Sequence, residues 1–267
     1  MTETVDLVAY PDLSSRIEAL ERDGIVYFPG LLGADEIAEL RDHMEGLAAA
    51  KEGYDRDSDA DEGDGFYQKH ISSCFNQDPF FLRYLDKPDI IEIWEAVHGP
   101  DCHAITMTSW ITGPGRPDQE LHADWQPFTL PPDVMADERV RLPIYITTVH
   151  FYLDDLYEEL GPTKVIPGSH RAGRAPNGDT SWNGVTAQSM MVKAGDATIH
   201  RSEVWHRGTA NSSNQNRYLL QVACADRMFA QRFPPYLNRF QFDEAMLAQA
   251  TPRQRRMLGD HRRMNFD

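Results

Sequence analysis

The feature that most constrains how this chain folds is a change of character near Cys102. From there on, short runs rich in Thr, Ile, Val, Tyr and Phe alternate with Gly, Pro and Asn. β-Branched and aromatic side chains suit a pleated surface, while the intervening residues turn the chain, so the runs predict antiparallel strands. They fall at 102–112, 144–154, 163–166, 190–193, 197–200 and 217–225. The expected fold is mainly β with flanking helices, arranged as a double-stranded β-helix, the cupin-like jelly roll.

The earlier part of the chain follows a different period. Residues 13–22 predict a short helix ended by Gly24, and 25–28 a strand leading to the Pro29-Gly30 turn. Over 34–51, Ile37, Leu40, Met44 and Leu47 recur at helical spacing and define one apolar face. Helices are also expected at 79–85 and at 89–97, the second starting after Pro88 and stopping at Gly99. The segment 242–263 predicts one or two helices outside the barrel. With no internal repeat or long linker, residues 1–267 are expected to form a single domain. Its parts are N-terminal helices over 12–98, a jelly-roll core over about 100–226 and a helical tail over 227–267.

Chemistry concentrates in three residues. His122-Ala123-Asp124 follows a β-like run and the loop Gly113-Pro114-Gly115-Arg116-Pro117. In an extended segment, residues two apart face the same way, so His122 and Asp124 can reach one ion. A lone His-x-Asp arises by chance in a chain with ten histidines, and only context raises it above that level. His206 supplies a second imidazole at the end of a turn, strand and short connection running from Gly195. Two imidazoles and a carboxylate on one face of an octahedral ion leave three positions for other ligands, the arrangement of non-haem Fe(II) oxygenases. Those positions suit a bidentate keto acid and then dioxygen. Arg217, opening the last predicted strand, offers a planar fork for the far carboxylate of such a co-substrate.

Several ordered stretches resemble the phytanoyl-CoA dioxygenase-like Fe(II)/2-oxoglutarate oxygenases. Asp23 to Leu32 is similar to the family's entry segment, and His122-Ala123-Asp124 to its first two metal ligands. Gly161-Pro162-Thr163-Lys164-Val165-Ile166-Pro167-Gly168-Ser169-His170 is similar to its Gly-Pro and Pro-Gly-Ser-His signature, with Leu160 where an asparagine is common. Gly195-Asp196, Trp205-His206, Asn211 and Arg217 resemble the closing block. The resemblance spans roughly residues 20 to 226. It implies Fe(II), 2-oxoglutarate and O2, with the keto acid leaving as succinate and CO2, and a role in natural-product biosynthesis. It also implies a keto-acid role for His150, which stands where some relatives place a tryptophan, for Thr148 on the same strand face, and for Lys69. Related halogenases carry a small residue in place of the carboxylate, so Asp124 argues against halogenation.

The remaining residues narrow the substrate. Trp125 and Gln126 directly follow the carboxylate and are the expected substrate contacts, whereas Phe128, Tyr152, Trp182 and Trp205 read mainly as barrel packing. His170 reads as a turn-fixing residue, and His98, His103 and His200 as satisfied core or surface histidines. The formal net charge is −16, with Asp55, Asp57, Asp59, Asp61, Glu62 and Asp64 crowded into one stretch. That stretch reads first as a solvated loop; as a lid it would favour a cationic small molecule, such as an amino-sugar antibiotic intermediate, and disfavour acyl-CoA and nucleic acid. Without a targeting-like segment or an apolar run of about 18 residues, a cytoplasmic monomer or homodimer without membrane contact is expected. Cys74, Cys102 and Cys224 suggest neither a disulfide framework nor a Cys-type zinc site. Two other readings stay open here: a zinc hydrolase built on the same His, His and Asp, and a non-catalytic jelly-roll binding protein.

Overall fold

Alternation along the strands sets the layering. The computed structural model describes residues 3–50, 68–135, 137, 139–234 and 239–263. Among the described residues, eleven strands run in chain order: β1 (Ile25–Phe28), β2 (Gln68–Ser72), β3 (His103–Thr112), β4 (Ile146–Tyr152), β5 (Thr163–Val165), β6 (Ser181–Trp182), β7 (Val185–Thr186), β8 (Gln188–Ser189), β9 (Ala197–Arg201), β10 (His206–Gly208) and β11 (Arg217–Ala225). The larger sheet is antiparallel in the order β1-β9-β4-β11-β3-β2, and it faces a smaller sheet ordered β10-β5-β8. This is the expected jelly roll with flanking helices.

The two faces of the larger sheet differ in chemistry. Val26, Ile71, Met107, Ile111, Val149, Phe151, Ile199, Leu220 and Val222 point one way and join the main buried cluster. Leu20 of α1 (Leu13–Arg22), Leu40 and Met44 of α2 (Ala34–Ala50), and Ile90 and Trp94 of α3 (Pro88–His98) cover that side. Each such side chain buried in full contributes about 1.5–3 kcal/mol. Asp12 caps α1 by accepting from the Ser15 amide at 2.9 Å. The other face carries Gln68, Trp110, His150, His200, Arg217 and Gln221, placed on one side by the registers of β2, β3, β4, β9 and β11. One sheet therefore rests on helices through its apolar side chains and presents a polar floor to the smaller sheet.

Several local expectations need correction. Residues 190–193 form no strand: Met190 donates once more to the Thr163 carbonyl (2.9 Å), and the chain then turns away at Gly195, φ 92°. Strand β2 was not anticipated, because Gln-Lys-His-Ile-Ser carries little intrinsic β preference and is drawn into the sheet by pairing with β3. The region ahead of residue 100 thus supplies both edge strands of the larger sheet besides its helices. Residues 79–84 form a 3-10 helix instead of an α-helix. Asn183 and Gly184, both at positive φ, make the tight turn of the β6–β7 hairpin. A four-residue helix, α4 (Pro132–Met135), lies in a connection, and the tail holds α5 (Glu244–Gln249) and α6 (Pro252–Met257). Met246 and Met257 anchor these tail helices in the main cluster. Among the described residues, no helix is long and apolar enough to cross a membrane.

Gly161 is held where a side chain has no room. Its φ is 82°, and an added Cβ would come within 2.5 Å of the Thr209 carbonyl oxygen and 2.7 Å of that of Ala210. Gly161→Ala is therefore expected to destabilise the fold by about 1–3 kcal/mol, the usual range for enforced backbone strain. Urea denaturation checks this; an unchanged midpoint would show that the close approach is not needed.

Candidate metal centre

Backbone pairing brings the two histidines together. The His122 amide donates to the His206 carbonyl (2.9 Å), and the His206 amide donates back to the His122 carbonyl (2.8 Å). This isolated antiparallel bridge sets the imidazole rings side by side, with centroids 4.5 Å apart. The Pro-Gly-Ser-His stretch holds the far side of the bridge. The Trp205 amide donates to Ser169 Oγ (2.8 Å) and its carbonyl accepts from the Ile166 amide (2.9 Å), so the residue before His206 is fixed at both backbone groups. His170 Nε2 donates to the Glu21 carbonyl at 3.0 Å, tying this stretch to α1.

Both imidazoles are oriented as metal donors. His122 Nδ1–H donates to the Glu120 carbonyl (2.8 Å) and His206 Nδ1–H to the Val204 carbonyl (2.9 Å). A carbonyl only accepts, so each Nδ1 carries the proton and each Nε2 keeps a lone pair. The chain bends at Asp124 instead of staying extended as expected, yet its carboxylate still reaches both rings. Asp124 Oδ1 lies 3.7 Å from His122 Nε2 and 3.6 Å from His206 Nε2, and the donor atoms of all three residues lie within 4.8 Å of one another. Burial, then the charge of His206, holds His122 below the usual imidazole range, and burial does the same to His206. Both shifts favour the neutral ligand form. Burial pushes the Asp124 carboxyl up, but His206, His200 and His122 together outweigh it and hold the group below the ordinary carboxylate range. Two neutral nitrogen donors and one carboxylate fit a divalent first-row cation.

His200 belongs to this site and was read as an ordinary core histidine. It is buried on β9, its Nε2 lies 3.9 Å from Asp124 Oδ2, and neither atom has a hydrogen-bond partner among the described residues. The signal lay in the register, since His200 pairs with Thr148 and so shares the face of His150. His98 and His103, by contrast, are satisfied: His98 bonds the Ile144 carbonyl and Thr147 Oγ1, and His103 the Phe229 carbonyl and His261.

A cavity runs from the triad to Arg217, lined also by Thr112, Arg116, His150, Thr163 and Gln221. Arg217 as a whole is half-buried, but its Nη1 is out of solvent and has no hydrogen-bond partner among the described residues. Burial first, and then the charge of Arg116, brings its pKa down to about 10. His150 faces the cavity, and Thr148 lies beside it with Oγ1 unpartnered among the described residues. Lys69 does not reach this cavity. Strand alternation puts Gln68 and His70 on the cavity side of β2, while Lys69 sits opposite Ile111 on the helix-facing side. Gln68 instead accepts from Arg116 Nε (3.3 Å).

A second cavity meets Asp124 from the other side, with Trp110, Trp125, Gln221, Arg232 and the hydroxyl residues Ser72, Ser73, Thr106 and Thr108 in its walls. Trp110 Nε1 donates to Gln221 Oε1 (2.9 Å), and this pair separates the two cavities. Trp125 also lines an apolar groove with Ile105, Ile146 and Phe229, and Arg232 lies over its ring at 5.6 Å. Gln126 lines neither cavity; its amide donates to the Phe128 carbonyl at 2.7 Å. Trp205 is fully buried and bonds the Arg174 carbonyl, Tyr152 packs in a second core cluster, Trp182 stands on the β6–β7 hairpin, and Phe128 is exposed. The acidic run at 55–64 lies outside the described residues.

Residues 20–218 match the model of the family phytanoyl-CoA dioxygenase (PhyH). The dioxygenase FUM3 of Gibberella moniliformis is 26% identical over 231 residues, covering 81% of this chain and 73% of its own. The dioxygenase ALT11 of Alternaria alternata is 26% identical over 257 residues, covering 90% and 79%. Among solved structures, the epimerase SnoN, in complex with Fe3+, alpha ketoglutarate and nogalamycin RO, shares the fold at a TM-score of 0.65 with 20% identity, covering 86% of this chain and 92% of its own. HygX from Streptomyces hygroscopicus, with nickel, 2-oxoglutarate and hygromycin B bound, does so at 0.62 with 16% identity, covering 81% and 88%.

Removing a donor is expected to weaken metal binding sharply. Asp124→Ala and His206→Ala should each lower Fe(II) affinity by more than about 100-fold, beyond the range usual for loss of an outer-shell partner. Anaerobic equilibrium dialysis measures this; wild-type affinity in either variant would place the ion elsewhere.

Proposed function

The chain belongs to the phytanoyl-CoA dioxygenase family of iron- and 2-oxoglutarate-dependent dioxygenases, and from that premise we propose that it oxidises a C–H bond of an oxygen-rich secondary metabolite. Hydroxylation and oxidative ring closure are the reactions this includes; an epimerisation would begin with the same C–H abstraction and need an external reductant to return the hydrogen, because it leaves the substrate's oxidation state unchanged. The observation that carries the reading is the meeting of two cavities at Asp124, divided by the Trp110–Gln221 pair. One ends at a buried guanidinium, suited to the co-substrate. The other has a hydroxyl-lined wall and opens past Trp125 onto an apolar groove, suited to a molecule with both hydroxylated and apolar parts.

Each residue has a definite task in this scheme. His122, Asp124 and His206 hold the iron through Nε2, a carboxylate oxygen and Nε2 respectively. When bound, iron with 2-oxoglutarate and O2 supplies a two-electron oxidation of the substrate, the keto acid leaving as succinate and CO2. Arg217 pairs with the far carboxylate, where a planar fork gives two parallel charge-assisted bonds. His150 and Thr148 border the keto acid from β4. Trp125 forms a wall against which a flat or ring-shaped substrate can rest, and the buried floor of the larger sheet keeps water from the reacting carbon. The nogalamycin and hygromycin B named with the structural neighbours support a secondary-metabolite substrate here. Among the described residues, the substrate-side wall offers Arg232 and no carboxylate other than Asp124. Selection of an amine would therefore rest on the acidic run at 55–64.

Succinate release in the presence of Fe(II) and 2-oxoglutarate, assayed with and without O2, tests the reading. Stimulation is expected from members of a panel of hydroxylated polycyclic compounds and glycosides. Trp125→Ala should raise the KM of a stimulating compound about 10-fold or more, the loss of one well-packed aromatic contact, while leaving the slow substrate-free decarboxylation in place. Succinate formation that is independent of O2, or absent under every condition, would contradict the proposal.

A further inference from the structure

The keto-acid cavity contains a second guanidinium that the triad and Arg217 leave unexplained. Arg116 lies in the loop before His122, is only 8% exposed, and lines the same cavity as Arg217. Its hydrogen bonds go to neutral acceptors: Nε to Gln68 Oε1 at 3.3 Å and Nη1 to the Gly208 carbonyl at 3.5 Å. Among the described residues, no carboxylate comes within ion-pair distance of Arg116 or of Arg217. Asp118, the acid whose charge acts most on Arg116, is itself engaged with Arg207 (3.0 Å) and the Ala210 amide (2.8 Å).

The position of Arg116 is built in. The Asn211 amide donates to the Arg116 carbonyl (2.9 Å), and the Asn211 carbonyl accepts from the Gly115 amide (2.8 Å). The Asn211 side chain in turn donates to the carbonyls of Thr112 (3.1 Å) and Gln215 (2.8 Å), at the end of β3 and just ahead of Arg217. One buried asparagine therefore fixes both arginine-bearing segments. Gln68 and Arg217 both lie opposite Thr112, and Arg116, bonded to Gln68, lines the same cavity as Arg217. Burying two like charges without a counter-charge is strongly unfavourable, and an anion between them relieves both desolvation and repulsion.

We propose that Arg116 acts with Arg217 as a two-guanidinium clamp on the far carboxylate of the co-substrate, making this cavity selective for a dicarboxylic 2-oxo acid. The proposal rests on the co-substrate assignment of the preceding subsection and adds a residue and a selectivity to it. A single guanidinium already forms two parallel bonds to a carboxylate; the second donates to its remaining lone pairs and adds a second attractive charge. A 2-oxo acid with an uncharged tail then meets two buried cations with nothing to pair them, and it is disfavoured more strongly than one arginine would achieve.

Anaerobic titration of the Fe(II)-loaded protein with 2-oxoglutarate and with 2-oxopentanoate, followed by the visible band of the keto-acid chelate, tests this through binding alone. The wild type is expected to prefer 2-oxoglutarate. Arg116→Met should reduce that preference by about 10-fold or more, the scale of losing charge-assisted hydrogen bonds, by weakening 2-oxoglutarate and not 2-oxopentanoate. Arg116→Lys, which keeps the charge and loses the fork, should fall between, and Arg217→Met provides the reference loss. An unchanged preference in both Arg116 variants would overturn the clamp, including the case in which both keto acids weaken together as a merely structural role predicts. A wild type that binds neither keto acid would overturn the co-substrate assignment itself, a failure visible before any substitution is made.

Discussion

The two backbone hydrogen bonds between His122 and His206 are the constraint on which the site depends. The residues lie 84 positions apart in sequence, one on a connection and one on β10, and this bridge, flanked by the reciprocal bonds of Gln119 and Gly208, makes them neighbours. Their side chains follow from it. Each Nδ1 proton goes to the carbonyl two residues earlier, so the backbone sets both the ring angle and the tautomer. The signature stretch from Gly161 to His170 serves the same end. It contributes β5, which pairs with β10, and then turns so that Ser169 and Ile166 hold Trp205. A motif readable as family resemblance is, in physical terms, the support of the strand that carries His206, a candidate metal donor.

The larger sheet gives the site its second component. Because successive side chains point to opposite faces, a single sheet can anchor helices with one face and carry histidines, arginine and glutamine on the other. Burying such a polar floor is unfavourable unless its groups are paired, and several are not paired by the protein itself. Asp124 Oδ2, His200 Nε2 and Arg217 Nη1 lack partners among the described residues; Asp124 and Arg217 line one cavity, and His200 Nε2 lies 3.9 Å from the same Asp124 oxygen. Unsatisfied polar atoms scattered through a core mark poor packing, whereas their convergence on one cavity marks a place built for a ligand.

Much of this was legible in the sequence, for identifiable reasons. Strands β1 and β11 and helix α1 match their expected bounds because their residues have clear propensity and are bounded by glycine or polar turns. His122, Asp124, His206 and Arg217 could be picked out as candidates because metal and carboxylate chemistry admits few residue types, and the fold gathers all four on one cavity. What escaped was what only pairing decides. Strand β2 has weak propensity and is held by β3, and its register reveals that Lys69 points away and Gln68 inward. His200 and Arg116 look ordinary as letters; one becomes notable through its place opposite Thr148, the other through a loop folded against Asn211. Trp110, hidden in a β-like run, gained meaning only when its indole was seen to bond Gln221 between two cavities.

The account's central claim is that two imidazoles, and not three, join Asp124 at the iron. His200 makes this a sharp question, since its ring centroid lies 5.0 Å from that of His206 and its free nitrogen faces the same carboxylate. X-ray absorption spectroscopy of the Fe(II)-loaded protein with 2-oxoglutarate counts imidazoles through their multiple-scattering pattern. The account predicts a six-coordinate iron with two imidazoles, dropping to one in His206→Ala and remaining two in His200→Ala. A third imidazole that disappears in the His200 variant, or a count unaffected by the loss of His206, would contradict it.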